Sequence, residues 1–306
     1  MRCVVTGAAG FIGSHLARAL LEAGHEVVGV DSFTGYYDPA RKAENAAGID
    51  VRRLDLALDP LDGLLDGADC IFHLAGQPGA RSFGPVFADY LVRNPLATQR
   101  LFEAAAAAQV KVVYSSSSSI YGDAETYPTP EETAPRPNSP YGITKLACEH
   151  LAAAYERSFG LQAVGLRYFT VYGPRQRPDM AFARIVEALV EGRPFEVYGD
   201  GTQSRSFTYV ADVVAATIAA EAAPPGRTYN VGGGEEASLR DAISLLEELS
   251  GRRLDVRYGP PVAGDMRRTR ADTALIEREL RWRSSTPLRD GLAEHWSWAS
   301  GKVAAR

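Results

Sequence analysis

The stretch that decides the fold is "TGAAGFIG", Thr6–Gly13, which follows the apolar run "RCVVT" and opens an amphipathic segment. Its glycines stand at positions 7, 10 and 13. A glycine-rich turn between a strand and a helix lets a phosphate group approach the backbone, where the first N–H groups of the helix can bind it. Three spaced glycines alone can simply make a tight turn, but the strand before them and the helix after them favour a dinucleotide site.

An acidic residue, Asp31, ends the second apolar run, "EVVGVD". A carboxylate there can accept hydrogen bonds from both hydroxyls of an adenosine ribose and would repel a 2′-phosphate, so we expect NAD rather than NADP. Asp55, which follows the third apolar run, fits an adenine contact and a surface acid almost equally well. The predicted NAD contacts are Gly7, Gly10, Phe11, Ile12, Gly13, Asp31, Ser32, Asp55, Leu56, Leu74, Ala75, Gly76, Asn94, Ser115, Ser116, Tyr141, Lys145 and Tyr168.

Short apolar runs alternate with amphipathic stretches over the first half of the chain. The pattern predicts helices over Phe11–Ala23, Pro85–Ala108 and Tyr141–Phe159, with Ser139 as the cap of the third. Alternation of this kind indicates βαβ units. The predicted fold is therefore α/β, a Rossmann-type doubly wound parallel sheet with a smaller C-terminal α/β lobe.

The pattern becomes less regular after Gly173, where "GPRQRPDM" forms a loop rich in proline and arginine. We expect residues 1–173 to form the NAD-binding domain, with the segment 207–232 returning to it. Residues 174–206 and 233–306 would then form the substrate lobe.

The bulk composition is that of an ordinary globular protein. The 306 residues are 45% hydrophobic and 23% charged, with a net charge of −5, so nothing indicates a nucleic-acid or membrane surface. Cys3, Cys70 and Cys148 lack metal or disulfide spacing, which favours reduced thiols in a cytoplasm. The five histidines are scattered, so we expect no metal.

A tyrosine and a lysine, Tyr141 and Lys145, share one face at the start of the third predicted helix. A neighbouring ammonium favours the phenolate and makes tyrosine a competent acid or base. The spacing alone also fits a solvated helix face. Five serines, Ser115–Ser119, end the buried run "VKVVY" upstream, where a parallel sheet places its ligands.

Together the glycine turn, the serine strand end and the Tyr-x-x-x-Lys pair resemble the extended short-chain dehydrogenase/reductase superfamily, in its nucleotide-sugar epimerase and dehydratase branch. The resemblance spans nearly the whole chain. It implies that Ser117, Tyr141 and Lys145 are the catalytic residues. Related 4,6-dehydratases carry an acidic pair after the catalytic serine or threonine, whereas this chain has Ser118 and Ser119. The resemblance therefore implies epimerisation rather than elimination of water.

Three further stretches, "DSFTGYYDPARK", "AGQPGARS" and "RYFTVYGPRQRPDMAF", are similar to UDP-glucuronate 4-epimerases. Gln176 departs from the glycine common at its position in that family. The resemblance implies that Arg177 clamps the substrate carboxylate, although a surface arginine is the plain alternative. The expected UDP-sugar contacts are Gln77, Arg81, Ser117, Ser118, Ser119, Tyr141, Thr170, Arg177, Met180, Arg205 and Arg268.

The sequence thus predicts NAD-dependent C4 epimerisation of UDP-glucuronate to UDP-galacturonate through a 4-keto intermediate, in a homodimer as is usual for the family. The alternatives are a UDP-glucose 4-epimerase, a decarboxylating UDP-sugar synthase and, least favoured, an NAD-sensing protein without activity.

Overall fold

The computed structural model describes residues 1–79, 83–260 and 267–304. Seven of its strands form one parallel sheet in the order β10-β6-β5-β4-β1-β2-β3. The strands are β1 Arg2–Thr6, β2 Glu26–Asp31, β3 Val51–Arg53, β4 Cys70–His73, β5 Lys111–Ser117, β6 Ala163–Tyr168, β7 Thr170–Tyr172, β8 Phe195–Tyr198, β9 Ser204–Tyr209, β10 Thr228–Val231, β11 Glu236–Ser238, β12 Val256–Gly259 and β13 Arg268–Thr269. The order confirms the predicted doubly wound α/β fold.

The described residues contain the helices α1 Phe11–Glu22, α2 Pro39–Ala46, α3 Phe87–Leu91, α4 Ala97–Ala108, α5 Pro140–Phe159, α6 Ala181–Glu191, α7 Val210–Ala219, α8 Leu239–Ser250, α9 Ala274–Leu280 and α10 Leu288–Ala304. Helices pack on both faces of the large sheet, whereas α6, α8 and α10 pack with the smaller sheets. None of the helices in the described part of the chain is long and apolar enough to cross a bilayer.

The continuous helix predicted over Pro85–Ala108 is wrong. The structure has a short 3-10 turn at Gly84–Val86, then α3, a π-helical turn at Val92–Leu96, and α4. Pro95 lies inside the π-helical turn. Because proline has no N–H to donate and its ring crowds the preceding turn, the regular hydrogen-bond ladder is interrupted there and the backbone widens.

Strand β1 shows why the middle positions of the central strands are apolar. Cys3 and Val5 pack into the core on one face of the sheet, while Val4 packs into the core on the other face. A parallel strand with helices on both sides buries successive side chains in opposite directions, so none of them can be polar at low cost. The three cysteines are free and buried.

The smaller sheets come from the second half of the chain. β9 pairs with β7, β11 and β13, and β8 pairs with β12. Helix α6 buries Phe182, Ile185 and Leu189 in a separate apolar core. β10 leaves this region and pairs with β6 in the large sheet, so the chain crosses between the two parts more than once. The cleft between them opens at the carboxyl ends of the parallel strands.

Candidate active site

A cavity of about 500 Å³ lies at the carboxyl edge of the large sheet. It is lined by the turn after β1, by the ends of β2, β4 and β5, by the start of α5, and by residues after β6. The second half of the chain contributes Arg177, Met180 and Arg205. The cavity therefore joins the glycine-rich turn to the serine strand end, as expected for ligands of a doubly wound sheet.

The glycine-rich turn is shaped to let another group approach its backbone. Gly7 has a φ of 72°, and a Cβ on it would lie 2.9 Å from the backbone of Leu74 and Ala75. A Cβ on Gly13 would lie only 2.1 Å from the carbonyl oxygen of Gly7. Gly10 precedes α1 and gives it no side-chain cap, so the first N–H groups of the helix remain for a ligand. The turn therefore fits the pyrophosphate of a dinucleotide.

Asp31 lies at the far end of the cavity, fixed by two backbone donors. Its Oδ2 accepts a hydrogen bond from the N–H of Ala9 at 3.2 Å, and its Oδ1 accepts one from the N–H of Phe33 at 2.7 Å. The carboxylate is therefore held in one orientation at the edge of the cavity. This position suits hydrogen bonds to the hydroxyls of an adenosine ribose.

Sequence reasoning missed Lys42, whose ammonium lies 3.8 Å from Asp31 Oδ1. Its side chain is only 8% exposed and donates a hydrogen bond to Thr34 Oγ1 at 3.1 Å. Burial lowers the pKa of Lys42, and the nearby Asp31 carboxylate partly opposes that shift. Lys42 belongs to α2, whose polar sequence looks like an ordinary surface helix, so only its burial beside Asp31 in the folded chain reveals it.

Asp55 lines the cavity and forms an ion pair with Arg93, with 2.7 Å between Oδ2 and Nη1. Asn94, in contrast, does not line the cavity. Its side chain accepts a hydrogen bond from the N–H of Gln77 at 2.7 Å and donates to Thr144 Oγ1 at 2.9 Å. Asn94 therefore supports the loop that follows β4, and its predicted NAD contact stays a prediction.

The five serines have different tasks. The carbonyl oxygen and Oγ of Ser115 accept hydrogen bonds from Lys145 Nζ at 2.8 and 3.2 Å. Ser116 donates to a carboxylate oxygen of Glu149 at 2.5 Å. Ser117 donates to Ser119 Oγ at 3.1 Å and accepts from its N–H. The run is thus an ordered strand end, and its first two hydroxyls hold neighbouring side chains.

Tyr141 and Lys145 both reach the cavity from the first turns of α5. Ser139 caps this helix as predicted, its hydroxyl accepting a hydrogen bond from the N–H of Gly142 at 3.1 Å. Lys145 Nζ lies 5.8 Å from the centre of the Tyr141 ring. Ser115 therefore holds the Lys145 ammonium close to the Tyr141 ring.

The other predicted NAD contacts line the cavity as a group. They are Phe11, Ile12, Ser32, Leu56, Leu74, Ala75, Gly76, Ser115, Ser116 and Tyr168. The hydroxyl of Tyr168 shares a hydrogen bond of 2.8 Å with Thr217, and burial raises the pKa of that phenol. The structure thus brings together the residues that the NAD-binding pattern requires, except Asn94.

Most of the predicted sugar-nucleotide contacts also line the cavity: Gln77, Ser117, Ser118, Ser119, Tyr141, Thr170, Arg177, Met180 and Arg205. Arg81 lies outside the described residues. Arg268 is exposed and lies outside the cavity. It donates to both carboxylate oxygens of Glu236, at 2.6 and 2.8 Å, and stacks over Tyr127. Glu236 lies on β11, which β9 separates from the β13 of Arg268, and this ion pair holds the guanidinium outside the cavity.

Arg177 lines the cavity and forms an ion pair with Asp179. Its Nε and Nη2 donate hydrogen bonds to the two carboxylate oxygens of Asp179, at 3.0 and 3.1 Å. Asp179 therefore takes the side edge of the guanidinium, whereas the end edge, formed by Nη1 and the second N–H of Nη2, keeps two donors for another carboxylate.

A Gly-rich cradle, an acid at the second strand and a Ser-Tyr-Lys set on one cavity wall define an extended short-chain dehydrogenase/reductase. Residues 3–232 match the NAD dependent epimerase/dehydratase family, and the chain belongs to that family. It is an NAD-dependent nucleotide-sugar 4-epimerase of the extended type, as the sequence predicted.

Three relatives match over almost their full lengths. A Bacillus subtilis protein described as an uncharacterized UDP-glucose epimerase, YtcB, is 41% identical, covering 98% of both chains. The UDP-glucuronic acid 4-epimerase from Bacillus cereus, solved with UDP-glucuronic acid and NAD, is 40% identical with a TM-score of 0.94, covering 99% of this chain and 100% of that one. MoeE5, solved with UDP-glucuronic acid and NAD, is 42% identical with a TM-score of 0.90 and the same coverage. MoeE5 was also solved with UDP-glucose.

Proposed function

We propose that this enzyme interconverts UDP-glucuronate and UDP-galacturonate by inverting the configuration at C4. The observation that carries the proposal is the guanidinium of Arg177 at the cavity wall, in the same cavity as Ser118, Ser119 and Thr170. A uronic acid brings a carboxylate that needs a cation and hydroxyl donors. The Bacillus cereus relative solved with UDP-glucuronic acid supports the same substrate class.

The carboxylate would be recognised by the end edge of Arg177 and by hydroxyl groups. Asp179 uses Nε–H and one N–H of Nη2, which leaves Nη1 and the second N–H of Nη2 for the ligand. Ser118, Ser119 and Thr170 line the same cavity and can donate the remaining hydrogen bonds. The two-point clamp expected from the sequence stays a prediction, with the end edge of Arg177 as its donor pair.

Tyr141 would act as the base that takes the proton of the C4 hydroxyl, and as the acid that returns it. Ser117 would hydrogen-bond the same hydroxyl, and Lys145, held by Ser115, would lie beside the phenol during the proton transfer. NAD supplies the acceptor and later the donor of the C4 hydride. The protein must meanwhile let the 4-keto sugar turn about its diphosphate linkage, so that the hydride returns to the opposite face.

The rest of the cavity favours epimerisation over other fates of the 4-keto sugar. Ser118 and Ser119 cannot replace the acidic pair that removes water in dehydratases, because a hydroxyl is a far weaker acid and base than a carboxyl group. A 4-keto uronic acid is a β-keto acid and can lose CO₂. Fixing its carboxylate with Arg177 and the serines would hold the C–C bond out of the alignment that cleavage needs.

A UDP-glucose 4-epimerase is the second candidate. Asp179 neutralises much of the charge of Arg177, so the wall would tolerate a neutral C6 hydroxymethyl group. Both MoeE5, which was solved with UDP-glucose, and the Bacillus subtilis relative support this reading. A decarboxylating synthase remains the third candidate and would release CO₂.

Proton NMR of the purified protein with UDP-glucuronate, with and without added NAD⁺, tests the proposal. We expect UDP-galacturonate and no pentose product. Turnover without added NAD⁺ would indicate that the cofactor is retained during purification. Conversion of UDP-glucose alone would replace the proposal by the second candidate, and a UDP-pentose would replace it by the third.

The variant Arg177→Ala tests the role of the guanidinium. Hydrogen bonds to charged groups contribute about 1.5–3 kcal/mol, so turnover of UDP-glucuronate at low concentration should fall about 10- to 100-fold while NAD binding is retained. Arg257→Ala is the matched control, because Arg257 also pairs with an aspartate two residues away but lies outside the cavity. Unchanged turnover in Arg177→Ala would rule out the proposed carboxylate contact.

We also propose how the chain is divided. Residues 1–173 and 207–232 would form the NAD-binding domain, and residues 174–206 and 233–306 the substrate lobe. The pairing of β10 with β6 supports the return of the chain. The three free, buried cysteines suit a reducing cytoplasm.

A homodimer through α3, the adjoining π-helical turn and α5 completes the proposal. Leu91, Leu96 and Ile143 project from these neighbouring segments and are between 42% and 48% exposed. Covering them with a second copy would remove apolar surface from water. Light scattering should give twice the mass of the chain, and Leu96→Asp should shift it towards the monomer. A monomeric unaltered protein would contradict the dimer.

A further inference from the structure

The loop before α2 reaches across the cleft to the arginine of the proposed carboxylate site. The hydroxyl of Tyr36 donates a hydrogen bond to Asp179 Oδ2 at 3.2 Å, although the two residues are 143 positions apart. Asp179 in turn accepts hydrogen bonds from Nε and Nη2 of Arg177. A chain of contacts therefore runs from Tyr36 through Asp179 to the guanidinium.

The charges along this chain reinforce one another. Burial opposes ionisation of Asp179, but Arg177 and the hydrogen bond from Tyr36 outweigh it and hold the pKa of Asp179 below its usual value. Burial and the nearby Asp179 carboxylate raise the pKa of Tyr36 to about 12, so the phenol stays protonated and remains a donor. The Tyr36 hydroxyl therefore has one available role towards Asp179, that of hydrogen-bond donor.

The loop that carries Tyr36 is anchored on both sides. Before Tyr36, the N–H of Phe33 donates to Asp31 at 2.7 Å. After Tyr36, Arg41 donates a hydrogen bond to Glu187 of α6 at 2.6 Å, and Lys42 donates one back to Thr34 within the loop. The contacts of Asp31 and Lys42 thus fix the position of the loop that carries Tyr36. Tyr36 itself contacts Asp179, in the second half of the chain.

We propose that Tyr36 and Asp179 are positioning residues that fix which edge of Arg177 faces the sugar, and thereby set the preference for a uronic acid over a neutral hexose. The proposal rests on the function proposed above. Asp179 occupies Nε–H and one N–H of Nη2, and Tyr36 keeps Asp179 in place, so the Nη1/Nη2 end edge is directed to the ligand carboxylate. Tyr36 lines the cavity and Asp179 does not, and in this proposal both act on the sugar through Arg177.

Tyr36→Phe is the sharpest test, because it removes one hydrogen bond and changes no charge. Affinities for UDP-glucuronate and UDP-glucose are measured by calorimetry in a Tyr141→Phe background, which prevents turnover. One net hydrogen bond corresponds to a factor of about 2 to 10. We expect UDP-glucuronate binding to weaken by about that factor and UDP-glucose binding to stay unchanged. In the otherwise unaltered enzyme, the KM for UDP-glucuronate should rise and kcat should change little.

A second variant tests whether Tyr36 acts through Asp179. In an Asp179→Ala background, Tyr36→Phe should have no further effect on UDP-glucuronate binding, since its partner is gone. Tyr258→Phe, which alters an exposed tyrosine, controls for the loss of a hydroxyl. Asp255→Asn controls for loss of a carboxylate that pairs with an arginine two residues away. Neither control should change the affinity ratio of the two sugars.

The outcomes separate the two proposals. The positioning role would be overturned if Tyr36→Phe weakened UDP-glucuronate and UDP-glucose binding equally. It would also be overturned if Tyr36→Phe had its full effect in the Asp179→Ala background. Neither result would affect the proposed formation of UDP-galacturonate. Absence of UDP-galacturonate from the unaltered enzyme would overturn the proposed reaction. In that case a selective loss of UDP-glucuronate affinity in Tyr36→Phe would still support the positioning role.

Discussion

Tyr141 is the side chain on which the proposed proton transfer depends. Replacing it with phenylalanine removes the acid and base but keeps the ring beside Lys145. General acid–base catalysis contributes roughly 10²- to 10⁴-fold, so kcat should fall by about that factor. NAD content, measured by absorbance after denaturation, should not change. A Tyr141→Phe enzyme with normal kcat would assign the base to another residue.

Asp31 is expected to set the choice between NAD and NADP. It lies 3.8 Å from Lys42, so removing the carboxylate leaves a buried ammonium near the position of the ribose hydroxyls. Asp31→Ser should therefore weaken NAD⁺ binding and strengthen NADP⁺ binding, because the cation can then meet a 2′-phosphate. Fluorescence titration with NADH and NADPH checks both changes.

The double variant Asp31→Ser/Lys42→Met is the control for this prediction. It should lose the gain for NADPH, because the cation is absent. An equal NADPH affinity in the single and double variants would show that Lys42 does not contribute. The sequence alone predicts the role of Asp31 but not that of Lys42, since nothing in "PARKAENA" marks Lys42 as buried.

At the scale of the element, the turn between β1 and α1 depends on Gly13. A Cβ there would lie 2.1 Å from the carbonyl oxygen of Gly7, closer than atoms can approach. Gly13→Ala must therefore move α1 away from the turn. Overpacking of this kind costs about 1–3 kcal/mol, and the displaced helix start should also hold a pyrophosphate less well.

Thermal unfolding and retained NAD measure the two effects of Gly13→Ala. We expect a lower Tm and less cofactor in the purified protein. Gly24→Ala changes a surface glycine with open space around its Cβ position, though its φ of 81° adds strain. This control should lower the Tm without reducing NAD content relative to folded protein. Full NAD content in Gly13→Ala would contradict the role assigned to the turn.

Helices α3 and α4 show what hydrophobic periodicity cannot predict about a helix. Apolar spacing predicts one helix across the region, because it reports which face is buried. It does not report where the hydrogen-bond ladder changes. Pro95 signals the interruption, but only the packed structure shows that the chain continues through a π-helical turn instead of stopping.

At the scale of the whole molecule, buried histidines make stability depend on pH. Burial lowers the pKa of His73 and of His295 to about 3, and burial lowers that of His15 to about 4. The unfolded chain binds protons at these groups below about pH 6.5, whereas the folded protein does not. Stability should therefore fall as the pH drops from 6.5 towards 4, by up to about 1.4 kcal/mol per pH unit for each histidine.

Urea unfolding at pH 7.0, 6.0 and 5.0 checks this prediction. The midpoint should decrease with each step. His295→Gln offers a matched variant, because the Nδ1 of His295 has no hydrogen-bond partner in the described structure. Its midpoint should depend less steeply on pH than that of the unaltered protein. An equal slope for the two proteins would show that His295 is not among the groups responsible.

The sequence by itself determined the α/β class, the glycine turn, the capped α5 and the order in which the serines, Tyr141 and Lys145 occur. These features depend on local rules of periodicity, turn chemistry and helix capping, which act within a few residues. The resemblance to nucleotide-sugar epimerases rests on the same short stretches. It is confirmed by the family match over residues 3–232.

Only the tertiary structure decided what each polar side chain faces. It placed Lys42 beside Asp31, turned Asn94 towards Gln77, and paired Arg268 with Glu236 outside the cavity. It also joined Tyr36 to Asp179 across 143 positions of the chain. The physical reason is that a charged or hydroxyl group takes the partner that packing brings near it. Which groups come near one another is set by how the strands, helices and lobes close around the cavity.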